Sequence, residues 1–263
     1  MLEIEYARAT DVGRVRDHNE DCLGEALPRD AVQSRTQGYL FVLADGVGGH
    51  ERGEVASRLA VETLVNGFRA APAGQPHAAL LSRLVQHANS LIYNQRHDAG
   101  AQGMSMATTV VSCALRFDRC VVAHVGDSRA YLLRGAQVTA LTRDHSVAAE
   151  QLSLGVVTSD EAGATRHLLT RSVGHDLFVQ VDVGEHQVQP GDVLLLCSDG
   201  LHGSVVEADL VHLLRQPQLE IAVQQLIALA NERDGSDNCS VQAVRIRQVE
   251  RTGVYRGRPY ALR

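Results

Sequence analysis

The chain has 263 residues, of which 44% are hydrophobic and 21% charged, enough apolar side chain for a sizeable core and too little charge for wholesale disorder. Its formal net charge of -6 gives no basic excess for nucleic acid, and no apolar run approaches the ~20 residues that cross a bilayer. The five cysteines (Cys22, Cys113, Cys120, Cys197, Cys239) are odd in number and lack C-x-x-C spacing, which suits reduced thiols in a cytoplasmic protein. Cys113 and Cys120 flank an expected hairpin turn, where a cross-strand disulfide is the alternative.

Residues 2–9 alternate and read as a strand rather than a secretory leader. Tyr39 to Ala44 is a continuous apolar run, suited to a buried strand, that ends at Asp45. A helix is expected over about 54–68, where Val55, Leu59, Val61, Leu64, Val65 and Phe68 form an apolar face. Pro72 to Pro76 breaks it, and a second helix is expected over about 77–96. From Met106 the period changes to two, with strands expected over 107–115, 120–125, 129–133 and 137–141 and a tight turn at Arg134-Gly135. Residues 145–166 carry a weak helical signal and read as an irregular insertion.

Residues 178–186 alternate again, and Pro190-Gly191-Asp192 turns the chain into the apolar run Val193 to Cys197. Ser204-Val205-Val206-Glu207 reads as a capping box ahead of a helix to about Arg215. A further helix is expected over about 219–232, and the last strand over 239–246. The order is strand, helix pair, strand-rich middle, helix pair, strand. It fits an α+β domain over residues 1–250, with two antiparallel sheets and helices outside. Residues 251–263, with Arg251, Arg256, Arg258 and Arg263, read as a poorly ordered basic tail.

Four acidic motifs punctuate this pattern: Arg16 to Asp21, Asp45-Gly46-Val47-Gly48-Gly49, Ser198-Asp199-Gly200 and Ser236-Asp237-Asn238. Each alone could be a turn, since Asp, Asn and Gly favour turns. Three of them set an aspartate at the end of an apolar strand, and carboxylates gathered from strand ends repel unless a cation sits among them. Aspartate offers hard oxygens suited to magnesium or manganese, and Gly46 lets its own carbonyl approach an ion. Two cations sharing one carboxylate acidify a water towards neutrality, which suits in-line attack on phosphorus. Arg16, four residues before Glu20-Asp21, offers paired donors to phosphate oxygens.

Together with Gly126-Asp127-Ser128-Arg129, Thr142-x-Asp144-His145 and Leu169-Thr170-Arg171, these motifs resemble the metal-dependent (PPM, type 2C) serine/threonine protein phosphatases in their compact bacterial form. The resemblance spans about residues 5–247 and implies an α-β-β-α sandwich. It implies that Asp45 bridges two Mn²⁺ or Mg²⁺ ions, with Asp199 and Asp237 on the first and the Gly46 carbonyl on the second. Asp127, with Asp199, matches a weaker third metal site. Glu20 and Asp21 would act through metal-bound waters, Asn238 would support the ligands, and Arg16 would hold the substrate phosphate.

The resemblance further implies hydrolysis of phosphoproteins by a metal-bridging hydroxide, reversal of a bacterial Ser/Thr kinase, and a monomer. The alternative, a regulatory phosphoprotein-binding pseudophosphatase, would be marked by loss of a metal aspartate, and none is lost. Val47 stands where eukaryotic relatives carry a histidine often assigned as general acid; His50 lies close in sequence but reads as a surface histidine, with the acid role as its alternative. Residues 146–166 match the family's flap beside the active site. Before Leu169, Arg166 is kept and His167 replaces an asparagine.

Overall fold

The computed structural model describes residues 1–47, 52–98, 106–156, 165, 168–255 and 258–261. Its first half runs β1 (Glu3–Asp11), β2 (Asp21–Ala26), α1 (Ala31–Thr36), β3 (Tyr39–Val47), α2 (Gly53–Ala70), α3 (His77–Asp98) and β4 (Ala107–Thr108). Then come β5 (Val110–Arg116), β6 (Arg119–Val125), β7 (Arg129–Arg134), β8 (Gln137–Ala140), α4 (Val147–Ser153), β9 (Asp182–Gln187) and β10 (Val193–Cys197). The chain continues through α5 (Asp199–His202), α6 (Glu207–Leu214), α7 (Leu219–Arg233), β11 (Cys239–Gln248), β12 (Thr252–Tyr255) and β13 (Arg258–Ala261).

One sheet has the order β1-β11-β10-β7-β8, the other β2-β3-β5-β6-β9, with β4 pairing β3. All these pairings are antiparallel. The continuous apolar strands are explained by what covers them. On β3, Leu40, Val42 and Ala44 join the α2–α3 core with Leu64, Phe68, Leu81 and Val85, whereas Phe41 and Leu43 enter the layer between the sheets. On β10, Leu194 and Leu196 enter that same layer, while Leu195 and Cys197 face Leu210, Leu226 and Ile227 of the second helix group. Period-two alternation thus separates two apolar faces of one strand, and the four layers are α-β-β-α, as expected.

Several local expectations are corrected. Neither β2 nor α1 is foreseen by pattern; β2 carries Asp, Gly and Glu, and α1 is a short helix capped by Asp30, whose Oδ1 accepts the Gln33 N–H at 2.7 Å. The strand expected over 107–115 breaks at Thr109. Strand β9 starts at Asp182, leaving Phe178 79% exposed. The capping box is displaced: α6 begins at Glu207, Asp209 reaches back to the Val206 N–H at 3.1 Å, and the Ser204 hydroxyl donates to the Gly200 and Leu201 carbonyls. The tail, expected to be poorly ordered, contains a two-stranded ribbon, β12 against β13. All five cysteines are free, with the Cys113 and Cys120 sulfurs 3.2 Å apart.

Arg245 on β11 is 8% exposed and fastens the α6–α7 connection to the sheet. Its guanidinium donates to the carbonyls of Leu214 (3.0 Å), Gln216 (2.6 Å) and Pro217 (2.8 Å) and to Glu5. Replacing it by methionine keeps the aliphatic stem and strands these acceptors. Arg245→Met is therefore expected to lower unfolding free energy by about 3 kcal/mol, read from the urea midpoint.

Candidate metal centre

The site forms because both sheets deliver strand ends to one place. Antiparallel pairing sets Asp21, first residue of β2, opposite Asp45 near the end of β3. In the other sheet, β10 ends at Cys197, β7 begins opposite it, and β11 begins beside it. The residues flanking those ends are Asp199, Asp127 and Asp237. Arg16, Glu20, Asp45, Gly46, Asp127, Asp199, Asp237 and Asn238 line one cleft of about 180 Å³ together with Val47, Thr109 and Leu169. Asp21, the cross-strand partner of Asp45, does not line the cleft.

Burial and mutual repulsion mark these acids. Asp45 keeps one face open to the cleft, yet its pKa is pushed well above the usual carboxylate range, first by desolvation and then by Asp21, Asp199, Asp127 and Asp237. Burial also raises Asp21 to about 7, although hydrogen bonds from Ser240 and Ser198 pull it down. Burial and then Asp199 raise Asp127 to about 7, and burial raises Glu20. Oδ1 of Asp21 is buried with no hydrogen-bond partner among the described residues. Arg16 is the only cation lining the cleft among the described residues, and its Nη2 donates to Asp237 Oδ2 at 2.8 Å. Its burial opposes the charge, but Asp237, Glu20 and Asp199 more than offset that and raise its pKa.

Backbone geometry is fixed by neutral groups. The Thr109 hydroxyl accepts the Asp45 N–H at 3.1 Å and pairs with Ser128 Oγ at 2.7 Å; the Thr108 hydroxyl donates to the Asp45 carbonyl at 2.8 Å. Asn238 is a three-way staple: its Oδ1 accepts the Glu20 N–H at 2.8 Å, and its Nδ2 donates to the carbonyls of Val12 and His18, each at 2.9 Å. Ser198 accepts the Ser240 N–H and donates to Asp21 Oδ2 at 2.8 Å.

Helix α5 starts with Asp199 and carries His202, whose imidazole is 3.0 Å from the Asp127 carbonyl; burial lowers its pKa to about 4, so it is neutral and donates there at neutral pH. His145 holds the same loop through a second contact, accepting the Gly126 N–H on Nδ1 at 3.2 Å. Its Nε2 faces Asp182 at 3.2 Å.

Glycine at 46 has a packing reason. A side chain there would run into the backbone of Gly53 at the start of α2, and one on Gly53 would come within 2.7 Å of the Glu20 carboxylate. Pattern reading did not single out Thr108, Thr109 or His202, and named Ser128 only within the Gly126-to-Arg129 motif. The adjacent threonines were legible as the only polar pair opening a strand-like run, since alternation must bury one of them. Gly48, Gly49, His50, Arg166, His167 and residues 157–164 of the expected flap lie outside the described residues; the first part of the flap, including α4, is described.

A second group, His124, His145 and Asp182, brings three ligand-type atoms within 4.8 Å of one another. The imidazoles stack at 4.8 Å between centroids, His124 Nε2 lies 2.9 Å from the Arg143 carbonyl, and Arg171 Nη1 lies 2.9 Å from Asp182 and 3.3 Å from His145 Nε2. The guanidinium already supplies the positive charge, so this group reads as an ion-pair clamp.

Residues 19–233 match the family model for protein phosphatase 2C. The chain is 33% identical over 242 residues to the serine/threonine phosphatase stp of Listeria innocua, covering 89% of this chain and 93% of that one. Among solved structures, the serine/threonine phosphatase of S. agalactiae superposes with a TM-score of 0.84 at 32% identity, covering 93% of this chain and all of that one. The catalytic domain of PstP, a serine/threonine protein phosphatase solved in complex with two manganese ions, superposes with a TM-score of 0.81 at 33% identity, covering 94% of this chain and all of that one. The cleft of strand-end acids thus lies in a chain that belongs to the protein phosphatase 2C family.

Proposed function

We propose that the chain is a metal-dependent serine/threonine protein phosphatase that releases phosphate from phosphoserine and phosphothreonine in proteins. The observation that carries this reading is the convergence of buried, mutually repelling carboxylates on a cleft whose one lining cation among the described residues is Arg16. Asp45, Asp199, Asp237 and the Gly46 carbonyl would hold two Mn²⁺ or Mg²⁺ ions, and Asp127 with Asp199 a third; the hard oxygen donors fit either ion. Glu20 and Asp21 would support them through water, and Asn238 through its staple. When bound, the ions supply an acidified water as nucleophile and neutralise phosphoryl charge.

The chain's own residues do the rest. Arg16 presents a partly exposed guanidinium at the rim, where two N–H groups can take phosphate oxygens. Thr109 is the one hydroxyl lining the cleft among the described residues, and it is committed to the Asp45 N–H and Ser128, so direct attack by water is favoured over a covalent intermediate. Val47 lines the cleft and has no proton to give. The proton for the leaving alkoxide must come from another group or from water. The bacterial phosphatases to which the chain is similar and its five free cysteines support a cytoplasmic role opposite a Ser/Thr kinase.

Asp45→Asn is expected to cut phosphate release from a phosphothreonine peptide by about a thousandfold or more, equivalent to ~4 kcal/mol of barrier. The metal-free variant is expected to melt above the metal-free parent at pH 8, because one of two facing charges is gone.

Titration gives a second test. In the metal-free fold Asp21 and Asp127 have pKa values raised to about 7. They hold protons that the unfolded chain has released, so their contribution is present at low pH and lost as pH rises through about 7. His202 works in the opposite direction, but it contributes alike with and without metal. The rise in melting temperature on adding Mn²⁺ is therefore expected to be larger at pH 8 than at pH 5.5, measured by calorimetry at fixed ion concentration.

A further inference from the structure

The catalytic cleft, at about 180 Å³, is small and lined mainly by the acids and Arg16 that would take the phosphoryl group. A second groove of about 520 Å³ shares Asp127 and Asp199 with it and so opens directly from the chemistry. One wall is the face of α4 formed by Ala148, Ala149 and Leu152, whose small residues leave the space open; Leu152 is 40% exposed. The floor carries charges that are already spent. Arg129 donates through Nε and Nη2 to both oxygens of Asp144, at 2.8 and 2.7 Å, and through Nη1 to the Tyr131 hydroxyl at 2.9 Å.

With metals on Asp127 and Asp199, those charges are spent as well. What remains is Glu207, the first residue of α6, which is exposed and forms no ion pair among the described residues. We propose that this groove receives the substrate chain on one side of the phosphorylated residue, with an apolar side chain against Leu152 and a basic side chain, lysine or arginine, facing Glu207. This selectivity rests on the phosphatase reading and adds to it a preference for basic phosphoproteins. The geometry supports it twice, through continuity with the catalytic cleft and through one unspent negative charge among the described residues that line the groove.

The test uses the full chain with Mn²⁺, p-nitrophenyl phosphate, and phosphothreonine peptides in which a single arginine or a single glutamate is moved along either side of the phosphothreonine. At one position arginine is expected to give kcat/KM about tenfold above glutamate, mainly through KM. Glu207→Lys is expected to invert that ratio, and Ala149→Trp, which fills the groove, to raise KM for every peptide about fivefold or more. Both variants are expected to leave p-nitrophenyl phosphate turnover unchanged. An arginine-to-glutamate ratio that Glu207→Lys does not move would overturn the proposal, as would equal losses on the peptides and on p-nitrophenyl phosphate. Absence of turnover of every substrate by the unaltered protein would overturn the phosphatase reading itself, and this proposal with it.

Discussion

Two aspartates face each other across an antiparallel strand pair, Asp21 against Asp45, and the rest of the structure depends on tolerating that opposition. Like charges directly opposite on a sheet are destabilising, and two of them ~5 Å apart at an effective dielectric near 20 repel by about 3 kcal/mol. The opposite sheet adds Asp127, Asp199 and Asp237 to the same neighbourhood, so the repulsion accumulates. A stability-optimised fold would replace these acids. Keeping them makes sense where multivalent cations are part of the folded state and turn repulsion into ligation.

The scaffold meets this load with hydrogen bonds that leave the carboxylates available. Threonine hydroxyls hold the Asp45 N–H and carbonyl, Asn238 staples the loop ahead of Glu20, and His145 and His202 hold the Gly126 N–H and the Asp127 carbonyl. These bonds fix main-chain atoms while the acidic side chains converge. Around them lie three apolar layers, so the strands that carry the acids are rigid and their ends are placed by sheet register.

Much of this was legible in the sequence because the strands are buried on both faces. The runs Tyr39 to Ala44 and Val193 to Cys197 cannot lie on a surface, so the aspartates after them had to stand at sheet ends. Helices α2, α3 and α7 announced themselves by their apolar stripes. What escaped reading had weaker local physics. Strand β2 carries two acids and a glycine, and its strand character comes from its partner β3. The break at Thr109 arises because the threonine hydroxyl is needed by Asp45, a tertiary demand that no period-two pattern encodes. The capping box failed for a similar reason, since Ser204 is claimed by the turn after α5 and Asp209 takes over the capping of α6. The resemblance placed the acids in one site but could not supply the neutral side chains that hold their backbones.

On the proposed reading, these acids would form a cation site with Asp45 shared between two ions. Manganese titrated into the metal-free protein and followed by electron paramagnetic resonance tests this most directly. An exchange-coupled pair signal is expected as the second ion binds, replaced by isolated-ion signals in Asp45→Asn. Uncoupled signals from the unaltered protein at saturation, or a coupled signal that survives in Asp45→Asn, would contradict it.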